Sequence, residues 1–224
     1  MADQTGVLFQ ASVLESLKHA VTRGTTTIQE LLDRGDIGFG TIEFPSGEMV
    51  IIDGAAYVGN CSGEVFRVAG DVTTPFAFAT KFASSFQIPV DRCRDMSMVG
   101  NSLDQKIAEC SGGLNHFYMV KIHAVFPKIN VRTTTRVKTE IGTESLREYT
   151  DYEKIVGTVI ALRCPAYAAH MNQPGWHMHF ISDDRRVCGH VMELSVDSAQ
   201  AEVAQLCRWE IVLPQHDEFS CIQF

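Results

Sequence analysis

Three of the eight histidines fall within sixteen residues, GWHMHFISDDRRVCGH from Gly175 to His190, with apolar residues between them. Alternate side chains of a strand share a face, so His177 and His179 project one way while Trp176, Met178 and Phe180 project the other. The polar SDDRR that follows has turn composition, and VCGHVMEL resumes as a strand. A loop centred between Asp184 and Arg185 sets His179 directly opposite His190. Opposed Cβ atoms lie ~5 Å apart, and His177 lies diagonally on the same face within ~7 Å. Three imidazoles then converge on one point. Such nitrogens suit zinc, iron, nickel, manganese or copper, and three protein ligands leave positions open for water or substrate. The alternative is three surface or hydrogen-bonded histidines on a polar sheet face.

Two further residue types bear on that site. Glu48 follows PSG at a hairpin rim, where a carboxylate is either a metal ligand or proton donor or a solvated acid beside a turn. Arg132 ends a long apolar segment, where a guanidinium either holds an anionic substrate through paired hydrogen bonds or snorkels to water from the strand end. Thr41, inside an apolar strand, reads from its position alone as an ordinary β-branched choice. The other five histidines have no ligand spacing. No GxSxG elbow, phosphate loop or GxGxxG after a strand is present, which removes support from nucleophilic hydrolase and nucleotide-binding readings.

The elements that position these residues follow from periodicity and turn chemistry. Residues 10 to 21 have helical spacing. Thr27 and Glu30 form a capping box for a second helix, which Gly35 closes in a left-handed conformation. GFGTIEF, EMVIID and AAYVGN read as strands, with Pro45, Ser46 and Gly47 as a three-residue loop that makes Glu48 the first residue of its strand. TTPFAFATKF is a further strand, and MSMVGNSLDQKIAEC a helix ended by Gly112 and Gly113. The apolar segment 116–132 is interrupted by Pro127 and reads as two strands or one bent strand. The polar run 133–154 reads as a domain connection, followed by strands in IVGTVIALRC, the histidine stretch, VCGHVMELSV and CRWEIVLP. The expected class is a strand-dominated α+β protein, with one domain over 1–135 carrying the N-terminal helices, Thr41, Glu48 and Arg132, and a β-rich metal-binding domain over 136–224 carrying His177, His179 and His190.

With 45% hydrophobic and 21% charged residues the chain is an ordinary globular one, and a net charge of -8 opposes nucleic-acid binding. The first residues lack the basic start and apolar run of a secretory signal, and no stretch approaches the ~20 apolar residues of a membrane span. Seven cysteines scattered without a CxxC pair read as free thiols, which points to the cytoplasm.

Several stretches together resemble the α-acetolactate decarboxylases: GDIGFGTIEFPSGEMVIIDGAAYV, TTPFAFATKF, NHFYMVKIHAVFPKINVRT, IVGTVIALRCPAY and PGWHMHFISDDRRVCGHV, in family order over most of the chain. The resemblance implies a zinc site made by His177, His179 and His190, and an acidic Glu48 near the metal. It implies Arg132 as the active-site arginine and Thr41 as a substrate-binding residue of the same pocket. It also implies an N-terminal domain built on a mixed sheet, a smaller barrel-like C-terminal domain, a homodimer, and a decarboxylation that turns the small β-keto acid 2-acetolactate into acetoin through a metal-stabilised enediolate. Departures from the family pattern are Pro45, Cys188 with Gly189, and TTTRV after Arg132. Family members continue into an acidic tail whose glutamate reaches the metal; here Glu218 and the terminal carboxylate of Phe224 are the candidates for that place. These departures keep two alternatives open, a related metalloenzyme with a different keto-acid substrate and a non-catalytic metal-binding relative.

Overall fold

The computed structural model describes residues 5–43, 46–139 and 142–223. The strand Glu48–Ile52 is buried along its whole length. Its even-numbered residues Val50 and Ile52 pack toward a second sheet, and Met49 and Ile51 pack toward a helix. Covering on both faces replaces the apolar-polar alternation of a half-exposed strand with a continuous apolar run.

That strand belongs to a seven-stranded mixed sheet in the order Arg208–Val212, Val7–Ala11, Ala77–Thr80, Ile37–Thr41, Glu48–Ile52, Ala55–Gly59 and Val65–Arg67. Val7–Ala11 runs parallel to Arg208–Val212, and the other neighbours are antiparallel. The helix Ile28–Arg34 lies on its outer face, where Ile28 and Leu31 join Met49, Ile51 and Ala77.

The second sheet has the order Gly142–Cys164, Gly175–Ser182, Cys188–Leu194, Phe117–Thr139, Val196–Leu206 and Phe86–Cys93. Phe117–Thr139 also pairs along its length with Gly142–Cys164, so four of the strands close into a ring of pairings. The helix Met96–Ser111 covers the outer side, with Val99, Leu103 and Ile107 packed among Met178 and Phe180. Between the sheets a separate core joins Phe39, Val50 and Phe78 to Ile160, Leu162, Ile181 and Cys188. Each such side chain fully removed from water contributes about 1.5–3 kcal/mol before chain entropy is counted.

Several expectations change. Residues 10 to 21 are not one helix: Val7–Ala11 is a fully buried strand and only Leu14–Lys18 is helical, because a strand covered on both faces has no period of its own. The Thr27–Glu30 capping box is present. Gly35 is extended rather than left-handed, and glycine fits there because a Cβ would lie 2.4 Å from the Thr80 nitrogen. Thr41 pairs with Glu48, which opens its strand as expected, and the three-residue loop expected over 45 to 47 includes Pro45, which lies outside the described residues. Gly112 is left-handed at φ 78° as a helix stop.

The run 133–154 is not a connection. Its described residues are strand, forming the outer part of a two-stranded ribbon whose threonines and tyrosines suit extended backbone. Pro127 does not break the strand, and pairing resumes at Lys128 with Glu153. The boundary at 135 and 136 therefore falls inside Phe117–Thr139, and Arg132 stands in the second sheet, apart from Glu48 and Thr41.

Candidate active site

The histidine hairpin has the register read from its spacing: His179 faces His190, Phe180 faces Gly189 and Ile181 faces Cys188. Ser182 closes the turn, its hydroxyl donating to Asp184 and accepting from the Arg186 and Val187 amides. Arg185 takes the left-handed position at φ 58°. Gly189 permits the hairpin to lie tight against the neighbouring strand, because a Cβ there would stand 2.5 Å from Val131 Cγ1 and 2.7 Å from the Arg132 carbonyl oxygen.

The face carrying His177, His179 and His190 does not meet solvent as a polar sheet face. It continues the inter-sheet core that holds Ile181 and Cys188. One ligand atom from each imidazole lies within 4.8 Å of the other two, and His177 Nε2 is 3.1 Å from His190 Nδ1. His179 is 1% exposed. Its Nδ1 stands 3.0 Å from the Met49 carbonyl oxygen, which only accepts, so Nδ1 carries the proton and Nε2 offers a lone pair to the site. Phe39 stacks on the His179 ring at 4.4 Å and meets His177 edge-on at 4.7 Å.

Burial, aided by Arg132 and neighbouring imidazoles, lowers the pKa of His177 and His179 well below the usual range, and that of His190 to about 4 through burial and Arg132. Neutral imidazole is the form that binds metal. His177 Nδ1 is buried without a hydrogen-bond partner among the described residues. Three neutral, converging imidazoles fit a divalent transition ion. Cys188 is a poor fourth donor: burial pushes its thiol up to about 12, and its Sγ lies 3.5 Å from the Glu48 carbonyl oxygen.

Glu48 faces the second sheet with Val50 and Ile52. Its Oε1 accepts from Arg132 Nη2 at 3.2 Å and from Thr134 Oγ1 at 2.8 Å. Its Oε2 is 3.8 Å from His179 Nε2. Burial raises the carboxyl pKa and outweighs the lowering by Arg132 and Thr134. Arg132 lies opposite His190 in the second sheet, and its Nε is buried with no partner among the described residues.

These groups line a cavity of about 560 Å³, with Thr41, Trp176 and Phe76 in its wall. Thr41 borders it while its hydroxyl donates to the Gly47 carbonyl oxygen at 2.8 Å, which ties the loop before Glu48 to the strand. Glu218 is exposed on the short helix Asp217–Ser220 and is not in the cavity wall, and Phe224 lies outside the described residues. Sequence reasoning passed over Thr134, Phe39 and the Met49 carbonyl. Thr134 was accessible to it: once TTTRV is read as strand, Thr134 shares a face with Arg132.

Likeness to known proteins decides the family to which this geometry belongs. The alpha-acetolactate decarboxylase family matches residues 8–224. The chain belongs to this family. The alpha-acetolactate decarboxylase of Brevibacillus brevis is 32% identical over 219 residues, 96% of this chain and 75% of the relative. That of Lactococcus lactis subsp. cremoris is 31% identical over 94% of this chain and 89% of the relative. A crystal structure from Staphylococcus aureus, described as a protein of unknown function similar to alpha-acetolactate decarboxylase, superposes with TM-score 0.86 at 26% identity, covering 97% of this chain and 94% of that one. The fold is also that of alpha-acetolactate decarboxylase from Bacillus subtilis, at TM-score 0.87, 23% identity and coverage of 97% and 93%. This is a family of carboxy-lyases, so the protein is an enzyme of that class. Among the described residues no helix is long and apolar enough to cross a membrane.

Proposed function

We propose that this enzyme converts 2-acetolactate to acetoin and carbon dioxide with a zinc ion held by His177, His179 and His190. The observation that carries the reading is the meeting of three buried neutral imidazoles with the Glu48–Arg132 pair in one cavity. When bound, a divalent ion supplies Lewis acidity, which polarises a ketone and stabilises the enediolate left by loss of carbon dioxide.

The chain's own residues do the rest. Arg132 holds the substrate carboxylate, and its unpartnered Nε is a donor in place for that anion. Holding the carboxylate sets the bond between C1 and C2 for cleavage. Its electron pair moves between C2 and C3, the ketone oxygen takes up the charge, and carbon dioxide leaves. Glu48, whose acid form burial favours, then gives its proton to C2 on one face, which yields a single acetoin enantiomer. Thr41 fixes the loop that presents Glu48 and forms part of the substrate wall.

We read the ring of pairings in the second sheet as barrel-like and the two sheets as two units, with the site between them. A cytoplasmic location accords with seven free cysteines, and a homodimer is the family expectation. The test is metal-dependent acetoin formation, lost on removal of a histidine ligand and of the Glu48 proton.

A further inference from the structure

The cavity extends well past the histidines and its wall is charged in one sense. Lys18, Arg132, Arg136 and Arg147 line it, and Glu48 is the one carboxylate among its described lining residues. The whole chain carries a net charge of -8, so this excess of cations is local. Lys18 is paired with Glu15 at 3.1 Å, and the three arginines come from the ribbon. Arg132, Thr134 and Arg136 alternate on one face of Phe117–Thr139, Arg147 stands opposite Thr134, and Ser145 stands opposite Arg136.

The inner and outer cations differ in what they already hold. Arg132 is bonded to Glu48 beside the imidazoles. Arg136 Nη1 is buried and has no hydrogen-bond partner among the described residues, while the Arg136 backbone amide donates to Ser46 Oγ. A buried guanidinium nitrogen without an acceptor costs stability unless a ligand supplies one. Arg147, opposite Thr134, lies two residues along from Arg132, ~7 Å of backbone, and Arg136 four residues, ~13 Å, so their long side chains must reach back toward the histidines to meet a C5 carboxylate. A five-carbon acid seated at the histidines places its single carboxylate at Arg132 and leaves the outer pair unused. The volume also lies in the range that encloses drug-sized ligands.

We propose that Arg136 and Arg147 form a second carboxylate subsite, and that the enzyme takes 2-hydroxy-3-oxo acids whose C2 substituent ends in a second carboxylate. The proposal rests on the decarboxylase reading for its reacting half, and on the ribbon cations for the other. Bond breaking is as described for acetolactate, and the second carboxylate is unchanged through the reaction.

The test has a binding arm and a turnover arm, both on zinc-loaded protein. In the first, calorimetry compares 2-hydroxy-2-methylglutarate with its 5-amide, neither of which has the ketone needed to react. The dicarboxylate is expected to bind about tenfold tighter or better, as a charge-assisted contact does over a neutral one. That preference is expected to fall toward unity in Arg136→Gln and in Arg147→Gln. Arg147 is exposed, so its variant keeps the test open if Arg136→Gln folds poorly. In the second arm, the diacid 2-acetyl-2-hydroxyglutarate and its 5-amide are compared as substrates by their kcat/KM values, beside acetolactate. Equal affinity for acid and amide in the unmodified protein, or a preference that survives both substitutions, overturns the subsite. Preference for the acid with no turnover of any keto acid instead removes the decarboxylase reading and leaves the subsite standing.

Discussion

Arg132 and Glu48, far apart in the chain and on different sheets, meet at 3.2 Å, with the second carboxylate oxygen of Glu48 3.8 Å from His179 Nε2. The contact joins the acid that rises from the first sheet to the cation and imidazoles that line the second. Two sheets that pack through an ordinary apolar core thereby share one polar cavity at the edge of that core.

If Glu48 is the proton donor, Glu48→Gln keeps the shape and the partners of the carboxyl group but has no proton to give. Acetoin formation is expected to fall by about 10²–10⁴-fold with zinc content unchanged. Metal analysis beside a chiral assay of acetoin checks this. Full activity with a single enantiomer would remove Glu48 from the reaction.

The three histidines are unequal in what else they do. His179 is buried, stacked on Phe39 and bonded to the Met49 carbonyl, whereas His190 is only half-buried. In metal-free protein His179→Ala is expected to cost about 2–4 kcal/mol, from the cavity and the orphaned carbonyl, and His190→Ala less. Urea unfolding measures the difference, and zinc titration of the same samples should show weakened binding in both. Equal costs would mean the Phe39 and Met49 contacts contribute nothing.

The register was legible because period two and a symmetric turn are local properties: HMH, SDDRR and GH fix which imidazoles face each other before any tertiary contact is known. The same locality found the Thr27–Glu30 cap and the Gly112 stop. What was not legible depended on covering. Val7–Ala11 loses its strand alternation because both its faces are buried, and Val196–Leu206 was passed over because its sequence, VDSAQAEVAQL, is largely polar at its start. The run 133–154 looked like a linker because a ribbon's charged faces resemble a loop in composition. That misreading hid Thr134 and Arg136, and it placed Arg132 with the wrong sheet.

The pH dependence follows from depressed imidazoles. Each is neutral in the folded protein, His190 down to about 4, while an unfolded histidine titrates near ~6.5. Between those values the unfolded chain binds more protons, so stability of the metal-free protein falls as pH drops through that window. Glu48 has the opposite sign, because its raised folded pKa lets the native state take up a proton first. Thermal unfolding of metal-free Glu48→Gln from pH 7 to 4 removes the opposing Glu48 contribution, and the decline should shrink when His190→Asn is added. An unchanged decline would show that His190 is not held neutral. Zinc, competing with protons only at low pH, should stay bound at pH 6 and leave as pH approaches 4.

Gly189 sets the distance between the His190 strand and Arg132. Gly189→Ala forces a methyl against Val131 Cγ1 and the Arg132 carbonyl, which is expected to cost about 1–3 kcal/mol and to weaken zinc binding by moving His190. Chemical denaturation with parallel metal titration decides this, and unaltered values in both would mean the two strands separate without strain.

The most direct test of the central claim is acetoin formation from racemic 2-acetolactate by zinc-loaded protein, with His177→Ala at matched folding as the control. Turnover that requires zinc and disappears in the variant is the predicted result. Full zinc occupancy with acetolactate decaying only at its spontaneous rate would contradict the proposed reaction.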